Sequence, residues 1–233
     1  MELILIRHGQ PEWVRDGLNV DDPPLTDLGR RQAAAMARAL AQERVDRILV
    51  SPLIRARQTA EPLVDVLGIR PEVHDWMAEL RNPEWDGTDH DVERIFHEAR
   101  RRPAEQHWEG LPGGESFRAF HQRVVTGLLE TLLACGVRPR FGNLPLWDVD
   151  HLEDGDNNPE TGQRVALVAH AGTNSVILTH LLGVEPVPWE WERFVLHHSS
   201  ISRTMPLRIG DGWSFGLLQL SAVAHLGPDE VTR

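Results

Sequence analysis

Two short apolar runs, far apart in the chain, end in the same way. Leu3-Ile4-Leu5-Ile6 leads into Arg7-His8-Gly9, and Val165-Ala166-Leu167-Val168-Ala169 leads into His170-Ala171-Gly172. Four or five apolar residues in succession suit a strand buried on both faces and are too short for a helix of their own. Strands of that kind belong to parallel sheets covered by helices, and such sheets put their ligands at the carboxyl ends of the strands. The two runs therefore predict an α/β chain in which His8 and His170 meet at one sheet edge. Gly9 allows a sharp turn or a close backbone approach just past the first of them.

The segments between the two runs fit the same plan. Gln10 to Pro24 reads as a polar loop. Thr26 is an N-cap candidate with Asp27 in the first turn, and Ala33, Ala37, Leu40 and Ala41 form a narrow apolar stripe at helical spacing. Arg47-Ile48-Leu49-Val50 is a second short strand. Ser51-Pro52 then reads as an N-cap followed by proline at the first helical position, opening a helix that carries Arg55 and ends at Gly68. Pro71 to Trp76 is a third strand by pattern. Strand, helix, strand, helix, strand implies parallel pairing through right-handed crossovers.

Beyond that point the pattern loosens. Asp91 to Arg102 is amphipathic through Val92, Ile95, Phe96 and Ala99. Glu115 to Cys135 is the clearest helix, with Phe117, Phe120, Val124, Leu128, Thr131, Leu132 and Cys135 on one stripe and Gly136 as its stop. Residues 138–163 carry the prolines, glycines and acids of a loop insertion. Asp148, Asp150, Glu153, Asp154 and Asp156 do not have the spacing of a calcium loop, so no metal is expected there. Thr173 to Leu182 reads as a helix, and Val195–His197, Ile201–Leu207 and Trp213–Leu220 as strands, the last two forming a hairpin about Gly210-Asp211-Gly212. The segment after Ala222 is expected to be loosely held. The whole, 1–233, is expected to form one domain.

Composition narrows the function. The formal net charge is −11, from 24 Lys and Arg against 35 Asp and Glu, which argues against nucleic acid and anionic membrane as partners. A single cysteine, Cys135, excludes an internal disulfide and a cysteine zinc site. Met1-Glu2 starts acidic and its apolar run ends at Ile6, unlike a secretory signal, and no stretch reaches the length of a membrane span. A cytoplasmic location is the expectation.

Two histidines and two arginines, Arg7, His8, Arg55 and His170, are thus directed to one sheet edge beside a helix start. A core rarely gathers such groups without an anion, because their desolvation is costly. Phosphate suits them: arginine binds it through paired hydrogen bonds and helix N-termini add N–H donors.

These residues and others resemble the histidine phosphatase superfamily, the phosphoglycerate-mutase-like proteins. The likeness runs through Arg7-His8-Gly9; Leu25, Thr26, Gly29, Gln32 and Ala33; Ser51-Pro52-Leu53, Arg55-Ala56 and Gln58-Thr59-Ala60; Gly113-Gly114-Glu115-Ser116; and His170-Ala171-Gly172. It spans about residues 3 to 207 apart from the insertion. The resemblance implies a three-layer α/β/α fold with a central, mostly parallel sheet. It implies His8 as a nucleophile that forms a phosphohistidine, its other ring nitrogen donating to a backbone carbonyl. Arg7, Arg55 and His170 would hold the phosphoryl oxygens, with no metal and no cofactor. Glu79, with Glu84 as second choice, resembles the family's proton donor, and Trp85-Asp86-Gly87 follows it at the family's spacing. To serve near neutral pH that carboxyl needs a raised pKa.

The chain departs from its relatives at Pro11 and Val14, where Ser or Thr and then Asn are common; Gln10 and backbone N–H groups are the substitutes for phosphate binding. The region after Gly87 lacks the basic, aromatic and proline-rich signals of a glycolytic mutase. The leading expectation is a histidine acid phosphatase-type phosphoric monoester hydrolase acting on a small phosphorylated metabolite. A cofactor-dependent phosphoglycerate mutase is the alternative, and a non-catalytic phosphate-binding protein the third reading. Trp13, residues 77–112 and the insertion would set specificity, and Trp189 and Trp191 face either a second copy in a homodimer or the core.

Overall fold

The computed structural model describes residues 1–83, 89–140, 142, 144–150 and 162–233, with the backbone alone for 89–93. An eight-stranded mixed sheet runs through it in the order β5-β4-β8-β1-β9-β10-β7-β6. The strands are β1 (Glu2–Arg7), β4 (Arg47–Val50), β5 (Glu72–Val73), β6 (Val137–Arg140), β7 (Leu146–Val149), β8 (Arg164–Ala169), β9 (Ile201–Ile209) and β10 (Gly212–Ala222). From β5 to β1 every neighbour is parallel; from β1 to β6 every neighbour is antiparallel. The runs of apolar residues are explained by burial on both sides. Leu3 and Leu5 of β1 enter one core with α4 (Phe117–Ala134) and α5 (Ala171–Leu181), while Ile4 and Ile6 enter the other with α1 (Asp27–Leu40) and α2 (Ile54–Leu67). Alternate residues of a strand point to opposite faces, so each run supplies both layers.

Helix α1 is capped as its sequence foretells: Thr26 Oγ1 accepts the Gly29 N–H at 3.0 Å. Its alanine stripe allows close packing on α2, and Ala33, Ala37 and Leu40 are buried. Gly68 closes α2 in the left-handed conformation. Cys135 is a buried thiol at the end of α4, as its place on the apolar stripe suggests. Trp189 and Trp191 pack against Phe117, with ring centroids 4.8 and 5.6 Å away.

Several elements differ from expectation, each for a local reason. Helix α2 begins at Ile54 rather than Pro52: Leu53 takes the cap position without a side-chain bond, and the Ser51 hydroxyl lies against both His170 and the Leu53 N–H. The loop from Gln10 contains a small hairpin, β2 (Val14–Arg15) and β3 (Leu18–Asn19). The third strand shrinks to β5 and passes into a 3-10 turn, Asp75–Met77. Helix α3 spans Asp89–Arg100. The 138–163 stretch is not wholly loop. Strands β6 and β7 pair there and extend the sheet through Trp147 against Trp213, held by Arg138 with Asp150 and Arg140 with Asp148. Those ion pairs account for two of the acids; Glu153, Asp154 and Asp156, like Glu84, lie outside the described residues. Val195–His197 forms no strand: the Leu196 carbonyl accepts from Arg7 and the His197 N–H donates to Ser221 Oγ at 2.8 Å.

The segment after Ala222 is tied down rather than loose. Its 3-10 turn, Pro228–Glu230, and Thr232 bond to α1 and to His198. Among the described residues no helix is long and apolar enough to cross a membrane.

Candidate active site

The parallel registers bring the predicted residues together. Arg7 stands opposite Ala169 and Val50 opposite Val168, so β1, β4 and β8 finish level with one another. The His8 N–H bonds to Ala169 O at 2.9 Å and the Ser51 N–H to Val168 O at 3.0 Å. The three strands therefore release His8, Ser51 and His170 into one place. The rings of His8 and His170 lie 5.1 Å apart.

The turn after His8 is held by close backbone contact. A Cβ on Gly9 would meet Gly29 O at 2.5 Å, and one on Gly29 would meet Gln10 O at 2.2 Å. Only two glycines let the head of α1 and the His8 turn approach this closely. The Gly9 N–H also donates to Thr59 Oγ1 at 2.9 Å, which ties the turn to α2.

His8 is 3% exposed. Its Nδ1 lies 2.7 Å from Gly9 O, and since a carbonyl only accepts, Nδ1 carries the hydrogen and Nε2 the lone pair. Burial first, and then the charge of Arg55, holds the imidazole well below its ordinary pKa and neutral. His170 is likewise neutral, through burial and then Arg55 and Arg7. Ser51 Oγ accepts from the Leu53 N–H at 3.3 Å and lies 2.7 Å from His170 Nε2. A hydroxyl hydrogen given to Nε2 goes with the His170 hydrogen on Nδ1. That buried nitrogen has no partner among the described residues.

Two guanidinium groups stand beside the imidazoles. Burial lowers Arg7 to about 10, against the charge of Glu79, so it keeps its charge at neutral pH. Arg55 is also lowered by burial, with Glu79 and Asp22 acting against the shift. Asp22 lies 3.4 Å from Arg55, and the exposed Trp13 ring, carried next to the β2–β3 hairpin, stacks 5.0 Å from its guanidinium. The Nε atoms of both arginines are buried without a partner among the described residues.

Glu79 closes the group. Its Oε2 accepts the Gly172 N–H at 2.8 Å and its Oε1 the Leu80 N–H at 3.0 Å. Burial raises its pKa, outweighing those two hydrogen bonds and the nearby charges of Arg55 and Arg7. Arg123 of α4 braces the loop by donating to Trp76 O at 2.9 Å and Ala78 O at 3.1 Å, while pairing with Glu115 at 2.8 Å. A cavity of about 810 Å³ opens here, lined by Trp13, Leu53, Arg55, Glu79, Leu80 and Arg123 among others.

Gln10 is placed differently from its companions. Its Oε1 accepts from Thr26 Oγ1 at 2.9 Å and its N–H donates to Gln32 Oε1 at 2.8 Å, so it braces the turn against α1. Pro11 is buried and bridges to Leu25, whereas Val14 is exposed on the hairpin. Sequence reasoning missed His198, whose ring lies 5.5 Å from that of His8 and whose Nε2 lies 3.0 Å from Arg7 Nη2. It missed Arg123 as well. The Gly-Gly-Glu-Ser motif at the start of α4 pointed to Glu115, and the partner of that buried acid was the available signal.

Residues 3–135, more than half of the chain, match the family model of the histidine phosphatase superfamily, branch 1. The chain belongs to the histidine phosphatase superfamily. The chain is 32% identical over 155 residues to phosphoserine phosphatase 1 of Hydrogenobacter thermophilus, a match covering 65% of this chain and 71% of that protein. It is 29% identical over 217 residues to a probable phosphoglycerate mutase of Photorhabdus laumondii, covering 87% of this chain and 84% of that one. The structure of a mycobacterial glucosyl-3-phosphoglycerate phosphatase in complex with inorganic phosphate superimposes with a TM-score of 0.68 at 25% identity, over 97% of this chain and 99% of that one. The three-layer α/β/α arrangement is thus that of the superfamily.

Proposed function

We propose that the protein is a phosphatase that hydrolyses a small phosphomonoester through a phosphohistidine at His8. One observation carries this reading: a neutral imidazole whose Nδ1 is engaged with Gly9 O, which leaves the lone pair on Nε2, with the charges of Arg55 and Arg7 acting on the ring. Nε2 attacks phosphorus and the P–O bond to the alcohol breaks. Arg7, Arg55 and the Nδ1–H of His170 take up the charge on the phosphoryl oxygens. Positioned cations of this kind supply what a metal ion supplies in other phosphoryl transfers, so the chemistry needs no metal.

Glu79 completes the proton inventory. Burial raises its pKa, which favours the acid form, and that acid gives its proton to the leaving alkoxide. The carboxylate so formed then takes a proton from the water that attacks the phosphohistidine, which releases inorganic phosphate and restores both His8 and Glu79. Gln10 serves the phosphate turn indirectly, by fixing its backbone against Thr26 and Gln32.

A phosphoglycerate mutase is the second reading, favoured by the Photorhabdus relative. It differs in the fate of the phosphohistidine, which must survive water and pass to a second hydroxyl. Phosphate release from an aryl phosphate and from a panel of phosphorylated metabolites, in the presence of chelator, tests the proposal. Turnover that is lost in His8→Ala supports it. Isomerisation of a phosphoglycerate faster than release of inorganic phosphate favours the mutase, and no turnover at all overturns both.

A further inference from the structure

Behind the arginine of the phosphate site lies a connected set of hydrogen bonds that the chemistry above does not use. Arg7 Nη2 lies 3.0 Å from His198 Nε2. A guanidinium has only donors, so Nε2 accepts. Neutral imidazole has one accepting nitrogen; the hydrogen of His198 is therefore on Nδ1, 2.9 Å from Thr232 Oγ1. The Gln32 side-chain N–H also reaches Thr232 Oγ1, at 2.9 Å, and Glu230 O at 2.7 Å. Gln32 in turn accepts the Gln10 N–H at 2.8 Å. The Thr232 carbonyl accepts the His198 N–H at 3.0 Å. His198 and Gln32 are 4% and 0% exposed, while Thr232 itself is half-buried.

We infer that Thr232 is a positioning residue of the phosphate site: one hydroxyl accepts from His198, which orients Arg7, and from Gln32, which fixes the turn at Gln10. The 227–232 segment is then a strap that holds the two flanks of His8 in register. The tautomer of His198 is the sensitive element. With a hydrogen-bond acceptor at Thr232 its Nδ1 holds the hydrogen and its Nε2 offers a lone pair to Arg7. Without one, only the bond from Arg7 to Nε2 is left to hold the hydrogen on Nδ1. A move to Nε2 would turn an N–H toward the N–H groups of Arg7, and the guanidinium loses an anchor.

The inference rests on the phosphatase reading, and a double-mutant cycle with Arg7 separates the two. Thr232→Val keeps the shape of the side chain and removes the hydroxyl. With an aryl phosphate it is expected to lower kcat/KM about tenfold and to raise the inhibition constant of inorganic phosphate several-fold, the scale of one lost buried hydrogen bond together with a misplaced catalytic group. Thr232→Ser is expected to stay within about twofold of the wild type, since the acceptor is retained. In an Arg7→Ala background the Thr232→Val effect should shrink from about tenfold to a few-fold, because one of the two groups it positions is gone and only the part that acts through Gln32 remains. A purely structural role for Thr232 would lower kcat/KM equally in both backgrounds, and that result overturns the inference, as does a Thr232→Val protein with wild-type kinetics. Melting temperatures identify any variant that fails to fold; if Val fails, Thr232→Ala is put through the same cycle with the same criteria. A wild-type protein without turnover refutes the phosphatase reading itself, and is a different result from either of these.

Discussion

The Glu79 carboxylate accepts the backbone N–H of Gly172 at 2.8 Å, so an acid from the loop after β5 is fastened to the first turn of the helix that follows His170. The same contact leaves no room for a side chain: a Cβ on Gly172 would lie 2.3 Å from Glu79 Oε1. The bond from the Gly172 N–H and the one from the Leu80 N–H fix where the carboxyl sits, and burial outweighs both in raising its pKa.

Gly172→Ala tests that anchor. The added methyl displaces the carboxyl, since the three atoms nearest to it all belong to Glu79. We expect an intact fold and a fall of up to about a hundredfold in kcat, the scale of a misplaced catalytic group. Steady-state kinetics beside a thermal melt check it; unchanged kcat in a folded variant would separate Glu79 from the chemistry.

Glu79→Gln removes the transferable proton while keeping two polar atoms. Its effect should depend on the leaving group. With alkyl phosphates the loss should be about 10² to 10⁴-fold in kcat, the usual contribution of a positioned acid. With p-nitrophenyl phosphate, whose leaving group needs no proton, the first step should be nearly unaffected. The variant should also lose the descending limb of the pH–rate profile, since activity of the wild type falls as pH rises through the pKa of Glu79. Equal losses in kcat/KM on both substrates, a quantity that reports the transfer to His8 and not the later hydrolysis, would contradict a proton-donor role.

Ser51→Ala tests the orientation of His170. The hydroxyl holds His170 Nε2 at 2.7 Å in a fully buried position. Its loss should lower stability by about 1 to 3 kcal/mol, the cost of leaving a buried polar atom without its partner. It should also lower kcat/KM by roughly tenfold, since the Nδ1–H of His170 is no longer enforced. Urea unfolding and kinetics on the same preparation measure both.

The buried histidines make stability depend on pH. His8 and His170 are held well below their ordinary value, and His198 falls to about 3, in each case chiefly by burial. In the unfolded chain they titrate near about 6.5. As pH falls below that value the unfolded state takes up protons that the native state refuses, so stability is full above it and declines below it. Glu79, with its pKa raised by burial, works in the opposite sense, but it is one group against three. We expect the free energy of unfolding in urea to fall between pH 7 and pH 5. Saturating inorganic phosphate should make the slope shallower, because an anion between the imidazoles favours their charged forms. A flat profile would contradict the neutral histidines.

The legible parts of the molecule were those where one short pattern had one physical cause. Leu3–Ile6 and Val165–Ala169 are apolar on both faces because a helical layer covers each side of the sheet, and that alone placed His8 beside His170. Helix α4 was readable because its stripe faces a core along its whole length. The parts that were not legible depend on pairing between distant polar groups. β6 and β7 are held by Arg138 with Asp150 and Arg140 with Asp148, which in sequence look like scattered loop charges. Ser51 reads as a helix cap until His170 is seen at its hydroxyl. His198 sits in a segment with no periodicity, and its importance comes from Arg7 and Thr232, residues 191 and 34 positions away.

The central claim is that His8 itself carries the phosphoryl group. Rapid acid-free quenching of the enzyme during turnover, followed by mass spectrometry of the peptide containing His8, tests it directly. The account predicts a phosphate on His8 that is stable to base and labile to acid, that is absent from His8→Ala, and that persists longer in Glu79→Gln, where the water is no longer activated. Turnover by the wild type with no label on His8, or with label on another residue, would contradict it.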